Sequence, residues 1–173
     1  MQDALRRTAF VALAAWLGTL SHAAAEAARP QCGADPEVSI PDGFCQEVVA
    51  SGLELPTDMA FLPDGRMMVA EQFSGFVRLV LDDRIGAIDP ILSLPDVNVC
   101  CGERGLLGLA IDPAWPQRPY VYLIYTRQPE GHSAIVRYTA RGDLTDSGSD
   151  QLVLDSPYEI LDDIPDASGV PCT

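Results

Sequence analysis

The residues best suited to chemistry lie in a short charged turn, Gly102 to Gly105, which carries Glu103 and Arg104. An apolar run from Leu106 to Ile111 follows directly and ends before an Asp-Pro pair, which predicts a buried strand. Binding residues are often found in loops at the ends of such strands, where a carboxylate can hydrogen-bond a polar ligand. The same pattern also fits a charged surface turn without a binding role.

Two glycines restrict how this turn is built. Gly105 precedes the apolar run and Gly108 interrupts it, which predicts close approach of another backbone or of a ligand. Neighbouring side chains of an extended segment point in opposite directions, so Glu103 and Arg104 are not expected to face the same site.

Histidine, the most common general base, is scarce in this chain, which has only His22 and His132. His22 lies in the apolar amino-terminal stretch. His132 lies in the polar loop Pro129 to Ser133, where we expect it to be solvated. We therefore assign no catalytic residue from the sequence, and we assign no metal ligand either.

The first 25 residues have the features of a signal peptide, and residues 26–43 form an irregular Ala-, Pro- and Gly-rich lead-in. Arg6 and Arg7 precede an uncharged stretch, Thr8 to Leu20, and Ala23-Ala24-Ala25 supplies the small residues of a cleavage site. A membrane anchor is the alternative, but a spanning helix needs about 20 apolar residues. The sequence therefore predicts a periplasmic or secreted protein without a membrane span after cleavage.

An exported chain can form disulfides, and five cysteines are present: Cys32, Cys45, Cys100, Cys101 and Cys172. Cys32 and Cys45 enclose a short loop and form one possible pair, with free thiols as the alternative. Cys101 has two possible partners, its neighbour Cys100 or Cys172, because Cys101 and Cys172 both follow Pro-Asp pairs. An odd count leaves at least one cysteine without a partner in the chain.

The formal net charge of the chain is −14, and all 11 basic residues are arginine. Such a surface repels nucleic acid and anionic membranes, so we exclude both as main partners. The oligomeric state is not predicted from the sequence.

The sequence contains two copies of one unit, spaced by about 50 residues, and each contains four segments typical of strands. The segments of the first copy, each given with its counterpart, are Met59–Pro63 with Leu109–Pro113, Met67–Ala70 with Tyr120–Tyr125, Phe76–Val80 with Ile135–Tyr138, and Ile91–Asp96 with Ile160–Asp166. Four antiparallel strands at this spacing are typical of a β-propeller blade. We predict strands near residues 57–62, 67–71, 76–81, 106–111, 120–126 and 134–139, with almost no helix after residue 30. An outer strand at Phe44 to Ala50 is a further expectation.

Two blades cannot bury their end faces, so residues 44–173 are interpreted as the amino-terminal part of a longer propeller. Several segments resemble the glucose/sorbosone dehydrogenase family, whose members are periplasmic or secreted quinoproteins. The resemblance spans about residues 44–166 and rests on Leu55–Arg66, Val69–Glu71, Gly102–Gly108, Asp112–Pro113, Tyr120–Tyr122 and Ile135–Tyr138. It implies an all-β fold, a partial six-bladed β-propeller with about two blades of four-stranded antiparallel sheets.

The resemblance also implies an activity, the oxidation of an aldose sugar by pyrroloquinoline quinone (PQQ), with calcium bound in many members. Glu103 stands where some members carry a glutamine that contacts substrate, so it becomes a candidate substrate-binding residue. The family's catalytic histidine follows a segment like Ile160 to Asp166, but none stands there in this chain. We therefore expect that this chain alone is not catalytic and does not bind PQQ or calcium. The alternatives are a non-catalytic propeller that binds carbohydrate or protein, and a lactonase-type hydrolase.

Overall fold

The computed structural model describes residues 41, 43–100, 102–129 and 131–165, and all of their regular structure is strand. The predicted signal peptide and almost all of the lead-in lie outside these residues. The described residues up to Glu47 form one unit, and those from Val48 onward form a second unit that holds every strand. No helix of the described part is long and apolar enough to cross a membrane.

Nine strands form two antiparallel sheets. They are β1 (Pro56–Phe61), β2 (Met67–Glu71), β3 (Phe76–Leu81), β4 (Arg84–Ile85), β5 (Leu92–Ser93), β6 (Leu106–Ile111), β7 (Tyr120–Thr126), β8 (Ser133–Gly142) and β9 (Leu152–Ile164). The first sheet has the order β1-β2-β3-β4, with β5 also paired to β3, and the second has the order β6-β7-β8-β9. The six strands predicted from the sequence are confirmed, with ends that differ by at most three residues.

The expected outer strand at Phe44 to Ala50 was wrong, because the structure has no strand there. The strands next to β3 at the edge of the first sheet are β2 on one side and β4 and β5 on the other. The apolar side chains that suggested this strand are solvent-exposed, with Phe44 at 76% and Val48 at 73%.

The internal repeat extends to an irregularity in the first strand of each sheet. The β1–β2 pairing shifts between Pro56 and Asp58, and the β6–β7 pairing shifts between Leu106 and Gly108. These positions have the same offset as the repeated prolines Pro63 and Pro113. The two sheets are therefore copies of one four-stranded design.

The fourth strand is where the copies differ. In the second sheet, β9 is continuous over 13 residues and pairs with β8 along its length. In the first sheet, β4 pairs with the end of β3 and β5 pairs with its start, so one fourth strand is split in two. The Leu154 N–H donates to the Ile91 carbonyl at 2.9 Å, which connects β9 to the split region.

The main core lies between the two sheets. It contains apolar side chains from β2 and β3 of the first sheet and from β6 to β9 of the second, including Met68, Leu79, Leu106, Leu123 and Val136. A smaller cluster on the other face of the first sheet consists of Met67, Val69 and Val80, against which Ala50 and Leu53 pack. Both faces of β2 are therefore covered, which explains why all five of its residues are buried.

A buried arginine also joins the sheets. Arg66, in the turn between β1 and β2, is 1% exposed and pairs with Asp64 at 2.6 Å. Its Nη1 donates to the Ser149 carbonyl and its Nη2 to the Asp143 carbonyl, both at 2.9 Å. Asp143 and Ser149 belong to the loop between β8 and β9, so the hydrogen bonds of Arg66 connect the second sheet to the first.

Candidate functional site

The charged turn from Gly102 to Arg104 lies where β2 ends and β6 begins. Glu103 is exposed to solvent, whereas Arg104 is buried at 9% exposure. One neighbour is thus exposed and the other buried, as expected for side chains that point in opposite directions. Glu103 is therefore the member of the pair that a ligand can reach.

Gln72 holds this turn in place. Its Nε2 donates to the Gly102 carbonyl at 2.8 Å and to the Arg104 carbonyl at 3.1 Å, one on each side of Glu103. Its own carbonyl accepts a hydrogen bond from Leu106 N at 2.9 Å. Sequence reasoning missed Gln72, although a polar residue directly after the buried strand β2 marks the same sheet edge.

The two glycines permit this arrangement. A Cβ on Gly105 would lie 2.4 Å from the Gln72 carbonyl oxygen, and its φ of +137° is one that other residues rarely adopt. A Cβ on Gly108 would lie 3.3 Å from Asp58 Oδ2. The predicted close approach is confirmed, and at Gly105 the approaching group is another backbone.

Side chains of β1 bind the free edge of β6. The Thr57 hydroxyl donates to the Leu106 carbonyl at 2.9 Å, and Asp58 Oδ2 accepts from Leu109 N at 2.9 Å. The two bonds satisfy one acceptor and one donor that β7 does not use. Strand β6 is therefore hydrogen-bonded along both edges, to β7 on one and to side chains of β1 on the other.

A buried carboxylate supports the end of β2. Glu71 is 0% exposed, and its Oε1 lies 2.9 Å from Arg78 Nε and accepts a bond from Glu54 N. Its Oε2 accepts from the Ser74 hydroxyl at 2.8 Å. Since every contact of Glu71 is internal, we assign it a structural role.

A second polar cluster surrounds Arg127 at the end of β7. Its Nε donates to the Tyr125 hydroxyl at 3.2 Å and lies 3.4 Å from Asp96 Oδ2, and its Nη1 donates to Glu159. Burial by itself lowers the pKa of Arg127, but the bonds to Glu159 and Tyr125 raise it above its ordinary value. This guanidinium is therefore a fixed positive charge committed to internal partners.

An open cavity of about 370 Å³ adjoins this cluster and is lined by Arg127, His132, Asp162 and Asp163. The His132 side chain is 47% exposed, and its Nδ1 lies 3.6 Å from Asp163 Oδ1. The prediction of a solvated loop histidine agrees with this exposure. The cavity offers both donors and acceptors to a polar ligand.

No group of three or more His, Cys, Asp or Glu side chains in the described part is arranged to hold a metal ion. Of the five cysteines, Cys45 and Cys100 lie within that part, whereas Cys32, Cys101 and Cys172 lie outside it. Each predicted disulfide involves at least one cysteine outside the described residues, so the pairings stay predictions.

Residues 53–169 match the model of a protein family described as glucose/sorbosone dehydrogenase. A curated relative, quinoprotein glucose dehydrogenase B of Acinetobacter calcoaceticus, is 26% identical over 132 residues. That match covers 72% of this chain and 26% of the relative.

Two solved structures are similar in sequence and shape. An oxidoreductase of Thermus thermophilus, described as a glucose dehydrogenase, is 38% identical with a TM-score of 0.53, and the match covers 69% of this chain and 32% of that one. The PQQ-bound aldose sugar dehydrogenase of Streptomyces coelicolor is 29% identical with a TM-score of 0.54, and the match covers 69% of this chain and 33% of that one. This chain thus spans about a third of the solved relatives, and the predicted partial β-propeller is confirmed.

Proposed function

Since this chain belongs to the glucose/sorbosone dehydrogenase family, we propose that it is the amino-terminal part of an exported, PQQ-dependent aldose dehydrogenase. The observation that carries the proposal is the turn of Gly102 to Arg104, which presents Glu103 to solvent while Gln72 holds the carbonyls on either side. An exposed carboxylate on a backbone fixed in this way can accept hydrogen bonds from sugar hydroxyls. Glu103 is the substrate-binding residue of the proposal.

The described residues by themselves do not fit the cofactor. PQQ carries carboxylates, which favour exposed cationic partners. At this edge the exposed charged residue of the turn is Glu103, Arg104 is buried, and Arg127 is committed to Asp96 and Glu159. We therefore propose that PQQ and calcium are bound by a longer protein that includes this segment. No step of the reaction is derived through them for this chain.

A general base is also lacking in the described residues. His132 is the one histidine among them, and it lies in the loop between β7 and β8 beside Asp163, with its side chain 47% exposed. A base must lie within hydrogen-bond reach of the proton that it removes, or one water away. A half-exposed histidine in a surface loop is a poor candidate, so we propose that the chain alone does not oxidise sugar.

The test is an activity assay on the purified chain with PQQ, calcium, glucose or another aldose, and an artificial dye acceptor. We expect no PQQ-dependent dye reduction above a control without protein. The Streptomyces coelicolor enzyme, assayed in parallel, shows that the reagents are competent. Turnover by the chain alone would contradict this part of the proposal.

A second candidate is a propeller segment that binds carbohydrate without redox chemistry. It is favoured by the exposed Glu103 and by the open cavity, which has polar groups but no assigned base. Titration of glucose into the isotope-labelled chain without PQQ tests binding: saturable shifts that Glu103→Gln removes are expected of both candidates, and their absence would contradict the carbohydrate-binding one. The lactonase-type alternative has no observation in its favour.

Export belongs to the proposal as well and is motivated by Arg6, Arg7 and the Ala23-Ala24-Ala25 site. Mass spectrometry of the mature amino terminus should find Glu26 or Ala28. An extracytoplasmic protein that retains Met1 would contradict it.

A further inference from the structure

The cavity beside Arg127 is formed at an irregularity in β9. The β8–β9 pairing shifts between Ser133 and Ile135, and one residue of β8 there faces two residues of β9. The two are Asp162 and Asp163. This arrangement is a β-bulge, which bends a strand and redirects its side chains. Neighbours in a regular strand point to opposite faces of the sheet, whereas both aspartates here line the same cavity.

The internal repeat shows that the bulge is an addition to the second copy. The first copy reads Ile91-Leu92-Ser93-Leu94-Pro95, and the second reads Ile160-Leu161-Asp162-Asp163-Ile164-Pro165, with one residue more. The corresponding β3–β5 pairs of the first sheet run without a shift. The second copy therefore has two adjacent carboxylates where the first has the single hydroxyl of Ser93.

The cavity combines hydrogen-bond donors and acceptors. The internal contacts of Arg127 use its Nε and Nη1, so its Nη2 is a further donor. The His132 imidazole can donate or accept, and the two aspartates accept. A ligand can reach these groups, since the side chains of His132 and Asp163 are 47% and 79% exposed. A neutral ligand with several hydroxyl groups matches this set, because each hydroxyl can donate to a carboxylate and accept from an N–H.

Charged ligands match the cavity less well. Two carboxylates repel an anion, and the positive charge of Arg127 is offset by Asp96 and Glu159. A metal ion lacks a ligand set, since no three His, Cys, Asp or Glu side chains of the described residues are arranged to hold one. The volume of about 370 Å³ lies within the range of ligand pockets. Size and chemistry together favour a neutral polyhydroxyl ligand.

The cavity and the Glu103 turn lie at the same edge of the second sheet. The turn precedes β6, which pairs antiparallel with β7, so the start of β6 lies beside the end of β7 and the loop that holds His132. Arg104 joins the two places, because a Cβ on Gly131 would lie 3.0 Å from its guanidinium carbon. The residue that follows Glu103 thus packs against the residue that precedes His132.

We propose that this cavity is a second carbohydrate-binding site, distinct from Glu103 and formed by the bulge at Asp162 and Asp163. It takes a neutral sugar unit, whose hydroxyls donate to the two carboxylates and accept from Arg127 Nη2 and from His132. The identification of the ligand as a sugar rests on the proposed function. The site itself does not require Glu103, so the two can be tested separately.

Titration of glucose into the isotope-labelled chain, followed by two-dimensional NMR, tests the proposal. We expect two sets of saturable shifts, one in the turn around Glu103 and one at His132, Asp162 and Asp163. Asp163→Asn should weaken binding at the cavity at least about threefold, because it replaces a charge-assisted hydrogen bond by a neutral one. It should leave the shifts of the Glu103 turn unchanged. Asp82→Asn is the matched control, because Asp82 is an exposed aspartate in the turn between β3 and β4; this variant should bind glucose as the parent does.

Deletion of Asp163 tests the bulge itself, because it restores the residue count of the first copy. It should abolish the shifts at the cavity, with circular dichroism showing that the chain is folded; if the deletion unfolds the chain, Asp163→Asn decides. Inorganic phosphate, titrated in place of glucose, should cause no saturable shifts there.

Three results would overturn the proposal: no glucose-dependent shifts at the cavity, saturable shifts there with phosphate, or equal effects of Asp163→Asn and Asp82→Asn. A different result would contradict the proposed role of Glu103 instead. If the shifts of the Glu103 turn were absent, or if Glu103→Gln left them unchanged, that role would be wrong while the cavity site stood.

Discussion

Asp58 and Gly108 occupy the same position in the two repeated sheets, and they lie against each other. Each follows the pairing shift in the first strand of its sheet. The Asp58 carboxylate reaches past Gly108 to accept a bond from Leu109 N at 2.9 Å, and a Cβ on Gly108 would lie 3.3 Å from its Oδ2. The two copies therefore differ at this position, where they contact each other: the first copy has the Asp58 carboxylate, and Gly108 of the second copy leaves space for it.

The first prediction concerns Gly105. Gly105→Ala should lower the free energy of unfolding by about 2–4 kcal/mol, since it combines an unfavourable φ with a contact of 2.4 Å to the Gln72 carbonyl. Gly102→Ala is the matched control, because Gly102 also has positive φ but nothing within 4 Å of the added carbon. It should cost only about 1–2 kcal/mol. Equal losses in urea unfolding would contradict the close approach of Gln72.

The second prediction concerns the buried Arg66. Arg66→Met should cost about 3–5 kcal/mol, because it leaves Asp64 without its cation and the carbonyls of Asp143 and Ser149 without a donor. Thermal or urea unfolding measures the loss. Arg84→Met makes the same change at an exposed position and should stay within about 0.5 kcal/mol of the parent. A small effect at Arg66 would mean that the sheets do not depend on this contact.

The third prediction compares the two charged residues of the turn. Glu103→Gln should change the free energy of unfolding by less than about 0.5 kcal/mol, because Glu103 is exposed. Arg104→Gln should cost about 2–4 kcal/mol, because the buried guanidinium packs so closely that a Cβ on Gly131 would lie 3.0 Å from its carbon Cζ. Denaturant unfolding of both variants is the measurement. A costly Glu103→Gln would show that Glu103 has a structural role.

The fourth prediction is acid sensitivity arising from Asp112. A hydrogen bond from Ala114 N, with further help from Tyr122 and Arg118, lowers the pKa of Asp112 below its ordinary value of 3.8. A carboxyl with a lowered pKa in the folded state stabilises the fold above its unfolded pKa, and this stability is lost as the pH falls through the folded pKa. The free energy of unfolding should therefore decline as the pH falls below 3.8.

Asp112→Asn tests the source of that decline. The variant should be less stable than the parent at neutral pH, and its stability should depend less on pH in the acid range. Urea unfolding between about pH 2.5 and 7 measures both. If the free energy of unfolding of the variant declined with falling pH as steeply as that of the parent, the decline would arise from other carboxyls whose pKa is also lowered. Asp143 is one of these, since it accepts backbone hydrogen bonds from Asp146 and Thr145.

Much of the fold follows from local features of the sequence. The strands β2, β3, β6 and β7 begin and end where they were predicted, because runs of apolar and β-branched residues between Gly, Pro and Asp turns specify extended backbone locally. The internal repeat predicted two copies of one four-stranded sheet. Gly105 and Gly108 predicted the close approach of another backbone or of a ligand, although not which residue approaches.

Only the tertiary structure decided which residues meet. Arg66 binds carbonyls of Asp143 and Ser149, which are distant in sequence, and no local pattern marks a backbone carbonyl as its partner. The hydrogen bonds from Gln72 to the carbonyls on either side of Glu103 also join residues that are distant in sequence. The split of the fourth strand into β4 and β5 likewise has no local sequence signal. Periodicity reports which face of a strand is apolar, whereas the neighbour that covers that face is set by long-range packing.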